Sequence, residues 1–70
     1  MTEEVARRIA LFTFATVCTF PIEEVKACSW IKLCEDCIIE ATTQEGWVRF
    51  EVEPDTETVE VLDFKGADNG

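Results

Sequence analysis

Four cysteines, at positions 18, 28, 34 and 37, are the residues whose chemistry asks to be weighed first. Cys34 and Cys37 have chelating C-x-x-C spacing, and with Cys18 and Cys28 they would make a four-thiolate zinc set. Such sites usually place their pairs on knuckle turns beside Gly or Pro. Here Cys18, Cys28, Cys34 and Cys37 fall in apolar runs at helical spacing, so the expectation is that they pack in the core as small hydrophobes and hold no metal. A redox role for Cys34-Glu35-Asp36-Cys37 meets an electrostatic objection, because two carboxylates between the thiols disfavour the attacking thiolate.

Other catalytic equipment is sparse. The chain has no His and no Tyr. It shows no glycine-rich phosphate loop and no Ser in a nucleophile elbow. Carboxylates are plentiful, and a converging pair can act as acid and base or hold Mg²⁺. These carboxylates fall instead on positions expected to be exposed, where solvation explains them. With 70 residues there is one modest core and little wall for a cleft. The expectation is a binding protein, not an enzyme, with no cofactor.

The charge says what such a protein would bind. Fifteen acidic residues against six basic ones give a net charge of −9, which repels nucleic acid phosphates and anionic lipid headgroups and attracts basic proteins. Direct contact with nucleic acid or membrane is therefore not expected. The uncharged run from Ile9 to Ile22 is shorter than the roughly 20 residues a bilayer crossing requires. It also lacks the flanks of a secretory signal, since Glu3 and Glu4 accompany Arg7 and Arg8 before it. Val25-Lys26-Ala27-Cys28 is a poor lipoprotein box, with lysine where a small residue is needed. A cytoplasmic protein is expected, and monomer and homodimer both stay open.

The elements that would position these side chains divide the chain in half. Thr2 can cap a helix with Glu3 and Glu4 in its first turn and Glu3 to Arg7 and Glu4 to Arg8 as i,i+4 pairs. Val5, Ile9, Phe12 and Thr16 form its apolar stripe, widened by Ala6, Ala10, Phe14, Val17 and Cys18. Alternation of Phe12, Phe14, Thr16, Cys18 and Phe20 supports a rival strand over 11–20. Pro21 ends that element and opens a second helix reaching about Ile38, with Ala27, Trp30 or Ile31, Cys34, and Cys37 or Ile38 as its stripe. Ser29 could instead cap a new helix and split the segment into a helix-turn-helix.

From Ile39 the period becomes two. A short strand over 39–43, a turn at Gln44-Glu45-Gly46 and two longer strands over 47–53 and 58–64 are expected, with Pro54-Asp55-Thr56-Glu57 as the last turn. The predicted fold is α+β: two N-terminal helical segments packed on a three-stranded antiparallel sheet, its hairpin spanning 47–64, with a winged-helix arrangement as a variant. Residues 1–64 would form one domain and 65–70 a flexible tail.

Pairing Val52 with Val59 buries Phe50 and Val61 and puts Trp47, Arg49, Glu51 and Glu53 on the outer side. Opposite them would stand Phe64, Leu62, Glu60 and Thr58, so Glu51 faces Glu60. Like charges placed so weaken a sheet, and Asp55 and Glu57 add to them at the turn. Carboxylates grading into Trp47, Leu62 and Phe64 suit a protein interface, with aromatic anchors and steering charge. The expected partner-binding residues are Trp47, Arg49, Glu51, Glu53, Glu57, Glu60, Leu62 and Phe64. A covering helix or loop over Trp47 and Phe64 is the competing explanation.

In size, acidity and lack of catalytic residues the chain resembles the small phage and mobile-element proteins that inhibit host nucleic-acid-binding machinery, DNA mimics and anti-CRISPR proteins among them. The resemblance is one of composition. It implies an inhibitor that occupies a basic groove. A structural subunit contacting its partner through Trp47, Leu62 and Phe64 is one alternative. Another is a winged-helix regulator, for which Lys26 and Lys32 are the only cations on the second helical region.

Overall fold

The computed structural model describes residues 1–66. Two helices, α1 (Glu3–Thr19) and α2 (Ile22–Ala27), precede four strands, β1 (Ile31–Glu35), β2 (Ile38–Thr43), β3 (Gly46–Glu53) and β4 (Thr58–Gly66). The strands form an antiparallel meander in the order β1-β2-β3-β4. The architecture is α+β with both helices on one sheet face; α1 lies across β4, β3 and β2, and α2 packs on β1.

α1 begins as its sequence dictates. The Val5 amide donates to Thr2 Oγ1 at 3.3 Å, and Arg7 pairs with Glu3 at 3.7 Å. The Glu4 and Arg8 pair is not formed among the described residues. The strand alternative for 11–20 fails for a local reason. Thr13, Thr16 and Thr19 each donate their hydroxyl to the carbonyl four residues back, at 2.8, 3.0 and 2.9 Å, which satisfies β-favouring residues within a helix. The helix buries Ala6, Ile9, Ala10 and Thr13. Phe12 and Cys18, counted on the apolar stripe, are exposed instead, so the helix is covered on one side only.

The second helix is far shorter than expected. It stops at Ala27, and residues 31–43 form the hairpin β1-β2 around Asp36-Cys37, giving a sheet of four strands and not three. Trp30, Ile31, Leu33, Cys34, Ile38 and Ile39 satisfy periods of 3.6 and of 2 over so short a run. Burial decides between them: Ile31 is buried, Lys32 exposed, Leu33 half-buried and Cys34 exposed. A helix-turn-helix has no second helix here, since 28–38 carries the hairpin.

The core is one cluster. Ile31, Ala41 and Val48 stand side by side on β1, β2 and β3, with Phe64 next on β4, and Ile39 sits beside Phe50 in the adjacent row. Phe50, Ile39, Val48 and Val25 are its largest fully buried apolar side chains. Val59 and Val61 pack at its edge. β4 reaches Gly66, two residues into the expected tail, and the rest of that tail lies outside the described residues. Met1 lies against Gly66, where a Cβ would come within 2.7 Å of its backbone nitrogen.

Candidate functional site

The face of the sheet turned away from the helices is open, and its rows read off the strand register. One row is Lys32, Glu40, Arg49, Asp63 across β1 to β4, a ladder of alternating charge. Arg49 anchors it. Its Nη2 donates to Glu40 Oε2 at 2.8 Å, and its guanidinium lies 5.7 Å from the Trp47 ring centroid. The hydrogen bond to Glu40 raises the Arg49 pKa above its ordinary value.

The neighbouring row is unbalanced. It runs Glu35, Ile38, Glu51, Glu60, so three carboxylates surround one isoleucine with no cation in line. Beyond it, Glu53 pairs with Thr58, and the β1-β2 and β3-β4 turns at this end carry Asp36, Asp55 and Glu57. Antiparallel meanders bring alternate turns to the same end, which is why segments far apart in sequence collect their acids here. Glu35, Asp36, Cys37, Ile38 and Glu51 line a shallow depression within this region.

Glu57 adopts a left-handed backbone with φ of 54°, the geometry that closes a four-residue hairpin loop but strains a side chain of this size. The Thr56 hydroxyl stands 3.5 Å from Glu53 Oε2 and 2.8 Å from the Thr58 hydroxyl. The opposite end is mixed in charge, with Glu45 exposed in the β2-β3 turn. Arg8 stands beside Thr42, Thr43 and Gln44, and Lys65 pairs with Trp47 across the strands.

The Glu51 and Glu60 opposition expected from the sequence is present, as are the pairs Val52 with Val59, Phe50 with Val61 and Glu53 with Thr58. The expected patch does not hold together beyond Phe50. A register shift between Arg49 and Phe50 pairs Arg49 with Asp63, Trp47 with Lys65 and Val48 with Phe64. Because a β-bulge adds one residue to one strand, every later side chain on β4 changes its partner. Phe64 thus joins the core side, and Leu62, 47% exposed, is left at the bulge. Trp47 is half-buried beneath Arg49, and at about 3.3 Å per residue it sits about 20 Å from Glu53.

Ile38 and the acids of the β1-β2 turn were missed by sequence reading, since 28–38 was assigned to a helix. The alternation Ile31, Leu33 against Lys32, Cys34 was the available signal. The cysteines also stand differently from expectation. Cys18, Cys34 and Cys37 are exposed thiols, and only Cys28 packs against the core, its Sγ donating to the Glu24 carbonyl at 3.3 Å. Among the described residues no group of three or more His, Cys, Asp or Glu is placed to hold a metal ion. Among the described residues no helix is long and apolar enough to cross a membrane.

No protein-family model, curated protein or solved structure matches the chain. The sheet geometry therefore carries the functional argument.

Proposed function

We propose that this chain is a non-enzymatic binding protein whose acidic sheet end occupies a basic groove that normally takes nucleic acid in a partner protein. The observation that carries this reading is the register of Glu51 against Glu60, flanked by Glu35 and with Glu53, Asp55, Glu57 and Asp36 around them. Repulsion among these groups costs the free domain stability. A basic partner reverses the sign of that cost.

The arrangement is also directional. The neighbouring ladder of Lys32, Glu40, Arg49 and Asp63 is charge-balanced, so the excess negative charge lies beyond it at the end with the β1-β2 and β3-β4 turns. The far end carries both signs, Lys65 and Arg8 with Glu45 in the β2-β3 turn, so the concentration of carboxylates at the other end orients the molecule as it approaches a positive field. Ile38 and Leu62 supply the apolar contact within or beside the acidic row; Trp47 is occupied by Arg49 and Phe64 by the core. A phage or mobile-element inhibitor of the DNA-mimic or anti-CRISPR kind, acting in a host cytoplasm, is the biological role this chemistry suits.

The test is capture from a nuclease-treated lysate with the tagged chain, at low and at high salt and with competing duplex DNA or RNA. Nucleic-acid-binding proteins released by salt and by the competitor are expected, and Glu51→Lys with Glu60→Gln should abolish capture. A partner that resists both salt and competitor would replace this reading with that of a structural subunit.

A further inference from the structure

The sheet ends in β1 on one side and β4 on the other, and the two edges are blunted to different degrees. β1 has five residues, an irregular register between Leu33 and Glu35, and Lys32 along it, and its Ile31 amide donates to the Cys28 carbonyl at 3.4 Å. The C-terminal half of β4 is protected too. Leu62 bulges there, the Phe64 amide donates to Asp63 Oδ1 at 2.8 Å, Lys65 follows, and Met1 lies against Gly66. Short length, bulges and cations are how sheets keep foreign strands off their edges. Thr58 to Val61 has no bulge and no cation.

The register fixes where the backbone groups of that segment point. The Val52 amide donates to the Cys37 carbonyl at 2.8 Å, on the β2 side. Successive residues of an antiparallel strand turn their N–H and C=O to opposite sides, so Glu51 and Glu53 bond towards β4, to Glu60 and Thr58. Val59 and Val61 therefore direct their N–H and C=O outward. Among the described residues no backbone group bonds to them there.

We propose that this segment of β4 takes an extended basic strand of the partner by antiparallel addition, with a cation opposite Glu60 and apolar residues opposite Val59 and Val61. The mode rests on the basic partner proposed above and states how that partner is held. Charge selects the occupant. The added strand hydrogen-bonds at Val59 and Val61, which sets its intervening residue opposite Glu60 in a non-hydrogen-bonded pair, where cross-strand side chains stand closest. That residue continues the row Glu35, Ile38, Glu51, Glu60 past its open end, and a lysine or arginine there relieves the repulsion between Glu51 and Glu60. Its two neighbours face the helix side next to Val59 and Val61, both half-buried against the core, where apolar side chains fit. A second copy of this chain meets the opposite result. Two-fold pairing of β4 with itself over Val59 to Val61 sets Glu60 against its own copy and puts Glu51 and Glu60 of both copies in one line. Main-chain bonds supply the affinity of such an added strand, and its alternate side chains supply the specificity.

Calorimetric titration of the full chain with the synthetic peptide Val-Arg-Val-Arg-Val-Arg-Val, and with the same peptide N-methylated at its internal valines, tests this mode. The unmodified peptide should bind about tenfold or more tightly than the methylated one, which keeps every charge but lacks the amide donors. Glu60→Lys should weaken the unmodified peptide about fivefold or more. Amide hydrogen exchange followed by NMR locates the strand. Saturating peptide should slow Val59 and Val61 about tenfold or more and leave Phe64, whose amide Asp63 already holds, unchanged. Equal binding of the two peptides, or unchanged exchange at Val59 and Val61 in the complex, would overturn strand addition and leave the acidic end as a purely electrostatic contact. Failure of both peptides to bind while salt-sensitive capture from lysate persists would overturn it in the same way, whereas loss of that capture would remove the basic partner itself. A dimer of the chain that the peptide dissociates would assign the edge to a second copy.

Discussion

Glu51 on β3 and Glu60 on β4 are direct cross-strand partners, on the open face of the sheet and both exposed. On the helix side of the same two strands, Phe50 pairs with Val61 and Val52 with Val59, so the register that buries the core also forces the two glutamates together. Slipping by one residue would relieve the repulsion only by turning Phe50 and Val52 to solvent. Burial of a phenylalanine outweighs a like-charge pair several-fold. The conflict is therefore held in place by the core.

Removing the conflict should stabilise the free protein. Glu60→Lys places a cation opposite Glu51 and beside Asp63's ladder, and a gain of about 0.2 to 1 kcal/mol is expected for a favourable cross-strand pair. Chemical denaturation in low salt should show a higher midpoint than the parent, and added salt should narrow the difference. A lower midpoint in low salt would mean that the pair is not repulsive in the folded state.

Phe50 is fully buried at the centre of the sheet, between Ile39 and Val61. Phe50→Ala should cost about 3 to 5 kcal/mol, a large share of the stability of so small a domain. Phe64→Ala, at a half-buried position on the same side, should cost less but still clearly destabilise. A parent-like melt for Phe64→Ala would place that ring on the outer face and remove the bulge from β4.

Much of this was legible in the sequence where one period ruled. Thr2, Glu3 and Arg7 mark the start of α1, and the β3-β4 turn with its flanking valines marks the hairpin down to the pairing of Glu51 with Glu60. Over 28–38 the pattern misleads because Trp30, Ile31, Leu33, Cys34 and Ile38 fit helical and strand spacing alike, and only burial against α2 and β2 separates the two. The site was half legible for a related reason. A bulge is a single extra residue with no compositional mark, yet it moved Phe64 inward, exchanged Leu62 for Asp63 opposite Arg49, and broke the expected aromatic patch.

The cysteines give a prediction that composition alone would have reversed. Cys18, Cys34 and Cys37 are exposed, and Cys28 is partly covered by the core. In the native protein three thiols should react quickly with Ellman's reagent and the fourth slowly, with denaturant equalising them. Zinc added beforehand should leave the fast phase unchanged, because among the described residues no group of three potential ligands is placed to hold a metal ion. Protection of the fast thiols by zinc would restore a metal site at the β1-β2 turn.

Glu57 closes the β3-β4 loop in a left-handed conformation. That conformation costs an ordinary residue about 1 to 2 kcal/mol, and glycine adopts it freely at the expense of about 0.5 to 1 kcal/mol of unfolded-state entropy. Glu57→Gly should therefore raise thermal stability modestly. Glu57→Val should lower it, since a branched side chain fits this region worst. The two variants lose the same charge, so opposite shifts in melting temperature isolate the backbone effect.

If the chain binds a basic partner as proposed, Trp47 and Ile38 are the competing apolar anchors, and the geometry separates them. Trp47 lies under Arg49, whose guanidinium is already committed to Glu40, so Trp47→Ala should loosen that ladder and lower stability while leaving partner affinity within about threefold. Ile38 stands between Glu35 and Glu51 and is half-buried. Truncation to Ala removes apolar contact worth about 1 to 2 kcal/mol when buried by a partner, a loss of about 5- to 30-fold. The charged residues around it act differently, on association: Glu51→Lys with Glu60→Gln should slow the on-rate and flatten its dependence on ionic strength, whereas Ile38→Ala should raise the off-rate. Surface plasmon resonance with the captured partner distinguishes all three. Loss of affinity on Trp47→Ala with Ile38→Ala unaffected would move the interface to the Lys65 end of the sheet and rule out the acidic end as its centre.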